Sequence, residues 1–205
     1  MSAAPEYGYD PPEYDPPRST IGPHTVEDWL ELDPAPDGST IELIMGHLFV
    51  TPTPSLGHQR LSRRIERLVE DALATAGRTD LEVLATVNIE ISSTIRTALI
   101  PDVVVLSDGR NGVFAPAEDL SLVVEIWSPG NTLAERETKA ASYALAGVPF
   151  FWALDQPSKL NPLRLTAHRL ENGLYKAENT LETEGPQTIT AAPVPITLDL
   201  ADLVR

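Results

Sequence analysis

Apolar residues recur along this chain with two periods, one helical and one alternating, and together they place most of its elements. Over 57–76, Leu61, Ile65, Leu68, Ala72 and Leu73 fall on one helical face, and Gly77 ends the run. A second long helix is predicted over 132–146, with Thr132 and Glu135 spaced as a capping box and Gly147 as the stop. A short helix begins after Thr25, which is paired with Asp28 in the same way. Residues 34–38 read as a loop. Two strands joined at Met45-Gly46 are predicted over 39–52, and further strands at 81–91, 100–106, 121–127 and 149–154. Residues 162–200 alternate short strand-like runs with turns such as Glu171-Asn172-Gly173. Strands on both sides of two long helices predict an α/β (α+β) fold. It would be a mixed β-sheet flanked by helices, with a β-rich C-terminal segment.

The first residues break the pattern. Residues 1–23 hold six prolines, three tyrosines, four acids and one arginine. Proline at this density blocks helix and sheet, and few aliphatic groups are available to bury. A disordered tail is therefore expected ahead of a single domain over 24–205. The tail reads as a solvated leader, with a Tyr/Pro docking strip as the functional alternative.

Composition narrows the classes. Hydrophobic residues make up 42% and charged residues 22%, as in globular proteins. No apolar run approaches the ~18 residues that span a bilayer, and no basic patch followed by an apolar stretch marks a secretory signal. The chain has no cysteine, which removes disulfides and thiolate zinc sites and makes a cytoplasmic location the expectation. The formal net charge of −15 repels phosphates at long range and counts against a passive coat for nucleic acid. It is compatible with a carboxylate site whose bound divalent cations offset the repulsion locally, and also with a binder of basic proteins.

Candidate chemistry centres on two strands. Residues 122–127, Leu-Val-Val-Glu-Ile-Trp, form an apolar run interrupted by Glu125. A carboxylate in a buried strand is expensive unless it is paired or bound to a metal. Val123, Glu125 and Trp127 share one face. Asp102 stands at the mouth of a second buried strand, behind Pro101. If the two strands are neighbours, their carboxylates converge, and a divalent cation such as magnesium resolves the repulsion. On the second long helix, Glu135, Lys139 and Tyr143 follow one another at four-residue spacing and share a face, which could look back at the end of the Glu125 strand.

Taken in order, these segments resemble a known family. They are Ile41-Glu42-Leu43-Ile44-Met45-Gly46, His58, Pro101-Asp102-Val103, Val123-Val124-Glu125-Ile126-Trp127-Ser128-Pro129, Lys139, Tyr143 and Gly147-Val148-Pro149-Phe150-Phe151-Trp152. The chain is similar from about residue 25 to 203 to the Uma-type restriction-endonuclease family of the PD-(D/E)xK nuclease superfamily. The resemblance implies a restriction-endonuclease-like fold and divalent-metal hydrolysis of phosphodiester bonds, in DNA, with magnesium as the ion and manganese as a substitute. It makes Asp102, Glu125 and the backbone carbonyl of Ile126 metal ligands, with Glu42 completing or supporting the site. Lys139 would orient the attacking water and stabilise developing charge. Some positions depart from the pattern. Trp127 fills the superfamily's lysine slot, two residues after the glutamate, and the Uma-type lysine stands on the next helix, where Lys139 is. Glu135 replaces an aspartate common in the family, and Met45-Gly46 replaces its usual Asp-Gly turn.

Plainer readings compete at each position. Asp102 reads alternatively as a strand-edge carboxylate accepting turn hydrogen bonds, and Glu125 as half of a buried ion pair. Lys139 reads alternatively as a surface partner of Glu135, and Glu135 as a helix cap. Glu42 alternates with apolar neighbours in its hairpin, so a solvent-facing position is equally compatible. His58 edges the apolar face of its helix as a structural histidine, or supports Glu42 or a phosphate. Arg60, Arg63, Arg64 and Arg67 crowd the opposite face, either as phosphate contacts or as a solvated face with Arg63–Glu66 and Arg67–Asp71 pairs. Trp127, Tyr143, Phe150, Phe151 and Trp152 read as core. The non-enzymatic alternative is a catalytically weak nuclease-fold module that binds nucleic acid or a basic protein. A third reading is purely structural, a homo-oligomer whose β-rich segment at 162–200 forms the interface, and a homodimer is also compatible with the nuclease reading.

Overall fold

The structure, a computed structural model, describes residues 22–107, 111–157, 162–183 and 185–204. Apart from Gly22 and Pro23, the segment expected to form a tail lies outside the described residues. The described elements, in chain order, start with α1 (Val26–Leu30), β1 (Thr40–Ile44), β2 (His47–Thr51), α2 (Leu56–Thr75), β3 (Leu81–Ala85), β4 (Ile89–Ser92) and β5 (Thr97–Leu99). They continue with β6 (Val103–Ser107), β7 (Ala115–Pro116), a 3-10 turn (Ala117–Asp119), β8 (Leu120–Trp127), α3 (Leu133–Leu145) and β9 (Phe150–Asp155). The chain ends with β10 (Arg164–Glu171), β11 (Leu174–Leu181), β12 (Gln187–Ile189), β13 (Ile196–Leu198) and α4 (Leu200–Val204). None of the described helices is long and apolar enough to cross a membrane.

The fold is mixed α+β, but its strands form two larger sheets and a ribbon rather than one sheet. The six-stranded sheet runs β11-β10-β9-β8-β6-β3, the five-stranded sheet β2-β1-β5-β4-β7, and β12 pairs with β13. Only β8 and β9 are parallel within the larger sheet, joined through α3. The stretch expected as one strand over 81–91 is the point of division. Thr86 takes φ 57, a left-handed conformation unusual for a β-branched residue, and the chain passes there from the larger sheet into the smaller. The β10–β11 hairpin turns at Asn172 (φ 52) and Gly173 (φ 78) and adds the β-rich end to the larger sheet.

Both faces of the larger sheet are covered. Leu61, Ile65, Val69 and Leu73 of α2 pack on Val103, Val105, Leu122, Val124 and Ile126. On the other face Val104, Val123, Trp127 and Phe151 meet Tyr143 of α3 and Ile89 and Leu99 of the smaller sheet. This two-sided burial explains why β6 and β8 read as continuous apolar runs. Ile65 is fully buried at the centre of the α2 seam. Ile65→Ala is expected to cost about 2–5 kcal/mol in urea unfolding, while exposed Arg60→Ala stays within about 0.5 kcal/mol.

The β1–β2 hairpin closes on Met45 (φ 51) and Gly46 (φ 79), the pair predicted as its turn. Glycine is required at the second position for a further reason, since a Cβ there would meet Cβ of Pro23 at 2.8 Å. The hairpin thereby holds the chain entering α1, with His24 N–H donating to the Gly46 carbonyl at 2.7 Å.

Candidate active site

Antiparallel pairing of β6 and β8 in the register Val103 to Val124 brings Asp102 and Glu125 to adjoining strand ends. Asp102 is held from several sides. Its Oδ2 accepts from the Ile126 amide at 2.7 Å, and its Oδ1 lies 2.7 Å from Nε2 of His58. Its carbonyl accepts from the Thr86 amide at 3.3 Å and the Ser62 hydroxyl at 3.4 Å. The left-handed turn at Thr86 aims that amide at Asp102, so the passage between sheets also anchors the site.

Glu125 lies one position further along, facing the opposite side of β8 from the α2 seam. Lys139 Nζ of α3 is 3.1 Å from its Oε1 and 2.9 Å from Oε1 of Glu42. The Tyr143 hydroxyl donates to Glu125 Oε1 at 2.6 Å. Glu42 in turn accepts from the Ile100 amide at 2.8 Å, which ties the β1 hairpin to the entry of β6. Glu42, Glu125 and Lys139 are all buried. The surface pairing of Lys139 with Glu135 and the solvent-facing position for Glu42 are therefore not what the fold adopts.

Burial dominates the electrostatics. It pushes the Glu125 carboxyl up toward about 8, the Lys139 ammonium opposes this, and the Asp102 and Glu42 carboxylates reinforce it. Burial pulls Lys139 down, but Glu125 and Glu42 together outweigh it and raise its proton affinity above the ordinary value. Tyr143 is raised well above its ordinary value, by burial first and then by the same carboxylates, so it remains a donor. Lys139 and Tyr143 both donate to Glu125, which opposes the rise of its carboxyl without cancelling it.

Trp127 shows how the lysine slot is filled. Its ring is buried on the Glu125 face, with Arg136 Cζ 5.5 Å and Lys139 Nζ 5.8 Å from the ring centre. Lys139 thus reaches over an aromatic ring from the next helix to stand between the glutamates, and cation–π attraction helps hold it there. Arg136 also donates to Asp155 at 2.5 Å and to the Ser128 carbonyl at 3.2 Å, fixing the start of α3 against the end of β9.

A cleft of about 860 Å³ opens above these groups, bounded by α2, the ends of β6 and β8 and the start of α3. Glu42, Asp102, Glu125, Ile126, Lys139, His58 and Glu135 all line it. Tyr143 lies beneath, reaching the site through Glu125. Glu135 departs from the expected capping box. Thr132 does accept from the Glu135 amide at 3.2 Å, but the Glu135 carboxylate accepts from Asn131 Nδ2 at 2.7 Å. His58 supports Asp102 rather than Glu42. The four arginines divide. Arg63 and Arg67 line the cleft and Arg60 and Arg64 do not. Arg64 turns to α4 and donates to the Leu203 carbonyl at 2.7 Å. Gln156 escaped sequence reasoning. Its Nε2 lies 3.0 Å from Nδ1 of His58, and a lone glutamine after a strand carries no pattern that would single it out.

The donor set suits a hard divalent cation. Glu42 and Glu125 share one ammonium and Asp102 lines the same cleft, leaving excess negative charge and a set of donors that is mainly oxygen. Among the described residues, no group of three or more His, Asp or Glu is arranged to enclose an ion. Two carboxylates with a neighbouring backbone carbonyl match the partial, water-completed shell that magnesium takes. Asp102, Glu125 and Ile126 line the same cleft.

No curated protein matches the sequence. Among solved structures, one described as a "putative nuclease belonging to DUF820" from Anabaena variabilis is similar in fold, with a TM-score of 0.67 at 16% identity. The similarity covers 89% of this chain and 98% of that one. The family described as "Putative restriction endonuclease" (Uma2) matches residues 26–201, from α1 into α4, a span that takes in every residue lining the cleft. On that match the chain belongs to the Uma2 family.

Proposed function

We propose that the protein is a divalent-metal-dependent endonuclease that hydrolyses phosphodiester bonds in DNA, with magnesium as its ion and manganese able to substitute. The observation that carries this reading is the pairing of Glu125 and Glu42 on the Lys139 ammonium in an open cleft that Asp102 also lines. Asp102, Glu125 and the Ile126 carbonyl would hold the ion. Bound there, a divalent cation supplies Lewis-acid polarisation of the phosphoryl group and a more acidic water.

The chain's own residues do the rest. Lys139 places a fixed positive charge beside the reacting phosphate and stabilises the charge that develops on it. Glu42 and Trp127 hold that ammonium, and Tyr143 holds the Glu125 carboxylate. Arg63 and Arg67, one helical turn apart on the cleft wall, bind phosphates flanking the cut. A homodimer would present two such clefts to two strands.

The test is cleavage of DNA and RNA substrates with magnesium, with manganese and with chelator. Metal-dependent cutting supports the reading, and no cutting of any substrate under any condition sinks it. The net charge of −15 favours a second reading, a catalytically weak module on the same fold. Nucleic-acid or basic-protein binding that persists in chelator, without cutting, would establish that reading instead.

The arginines provide a separate check. Arg63→Ala and Arg67→Ala are each expected to weaken DNA binding uniformly across sequences and to lower the log–log salt slope by about 1. Arg60→Ala should leave binding intact, and Arg64→Ala should lower stability through the lost contact to α4. Fluorescence anisotropy at several salt concentrations measures all four. Equal losses at Arg60 and Arg63 would place the phosphate path elsewhere.

A further inference from the structure

We infer that Gln156 and His58 form a clamp that positions Asp102. Three distant segments meet to make it. His58 stands in the first turn of α2, its amide capped by Ser55 Oγ at 3.2 Å. Gln156 follows β9 and is pinned by its own amide, which donates to the Trp127 carbonyl at 3.0 Å. Asp102 leads into β6. The chain of contacts runs from Gln156 Nε2 to His58 Nδ1 at 3.0 Å, and from His58 Nε2 to Asp102 Oδ1 at 2.7 Å. The His58 and Asp102 side chains are 15% and 22% exposed, so the second contact is sheltered but open toward the cleft.

The chemistry is directional. An amide nitrogen only donates, so Nδ1 accepts and the ring carries its proton on Nε2, where it is donated to the carboxylate. The acceptor-only Asp102 carboxylate requires the same tautomer, so Gln156 reinforces it and fixes the ring plane, and His58 in turn selects the Asp102 orientation. A carboxylate has about four acceptor positions. The His58 and Ile126 N–H groups take one on each oxygen, which stops the carboxylate rotating and leaves acceptor capacity toward the cleft. Such supporting hydrogen bonds set the direction and basicity of a metal-binding group, and their loss typically costs about 10–100-fold in metal affinity. The consequence for an ion rests on the nuclease reading, whereas the clamp itself does not. His58 and Gln156 are positioning residues that act through Asp102.

Two measurements test this. The first is nitrogen NMR of the metal-free protein labelled at histidine nitrogens, with the His58 signal assigned from its loss in His58→Ala. A protonated Nε2 and a bare, hydrogen-bonded Nδ1 are expected in the wild type, with the Nδ1 resonance shifted in Gln156→Ala as that hydrogen bond is lost. A proton on Nδ1, or a signature unchanged in Gln156→Ala, overturns the clamp. The second is calorimetric titration of Mn2+. His58→Ala is expected to bind about 10–100-fold more weakly, Gln156→Ala less severely, and the double variant no more weakly than His58→Ala alone. His58→Gln, which keeps a donor, should recover part of the loss and serves if His58→Ala does not fold. Wild-type affinity in His58→Ala, or additive losses in the double variant, would refute the coupling. A wild type that binds no Mn2+ would defeat the metal reading instead, and the NMR result would then decide the clamp alone.

Discussion

Asp102→Ala is expected to abolish phosphodiester cleavage while leaving the protein folded. Asp102 is the one carboxylate of the cluster with an appreciably exposed side chain, so its removal opens the site to water rather than leaving a buried void. Its loss would remove half of the proposed carboxylate pair and, with it, Lewis-acid assistance worth several kcal/mol in the transition state. At 1.36 kcal/mol per factor of ten, the rate should fall by about 10³ or more. Asp102→Asn is not a milder control. Both Asp102 oxygens accept from N–H groups, and an amide would turn a donor toward one of them. Plasmid cleavage with Mg2+ and Mn2+, together with calorimetric metal titration, measures both effects. Cutting at the wild-type rate by Asp102→Ala would end the nuclease assignment at this cleft.

Lys139→Met is expected to be the most damaging substitution for stability. It retains the aliphatic stem and removes the ammonium that stands between Glu42 and Glu125. Two buried carboxylates would then face each other without a counter-charge. Breaking a buried ion pair from one side typically costs about 3–5 kcal/mol. Urea unfolding reads that loss directly. Adding Glu125→Gln to Lys139→Met should return part of it, because one of the stranded charges is gone. A divalent cation should also stabilise Lys139→Met more than the wild type, by replacing the missing positive charge. Unchanged stability in Lys139→Met would mean that the glutamates are not held by this lysine in solution.

Metal affinity should also depend on pH. Burial pushes the Glu125 carboxyl up toward about 8, and an incoming cation must displace any proton it carries. Affinity is therefore expected to rise from pH 6 through pH 8 and to level off only above that. In Glu125→Gln the affinity should be lower and that rise absent. A flat profile in the wild type would remove Glu125 from the set of ligands.

Much of this protein could be read from local rules. The helix limits followed from apolar spacing, from the capping residues Thr25 and Thr132 and from the stops at Gly77 and Gly147. The β1–β2 turn followed from a glycine that alone tolerates its position there. Glu125 stood out because a carboxylate inside Leu-Val-Val-Glu-Ile-Trp is costly without a partner, and this cost is visible without coordinates. The partner was not visible. Alternation in β1 places Glu42 on one face but does not say which face is buried. A helix pattern relates Lys139 to Glu135 and Tyr143, but it carries no information about the strand packed beneath. His58 and Asp102 are 44 residues apart, and His58 and Gln156 are 98 apart.

The sequence by itself determined the three helices it predicted, most of the longer strands and which residues would be expensive to bury, because these depend on neighbours a few positions away; the division of 81–91 into β3 and β4 and the short β5, β7 and α4 were not among them. Only the tertiary structure decided that the strands divide into two sheets at Thr86, that Lys139 passes over Trp127 to reach the glutamates, that two of four arginines face the cleft, and that Gln156 stands behind His58. Those outcomes depend on how separate elements dock, and docking is set by the fit of whole faces rather than by the spacing within any one of them.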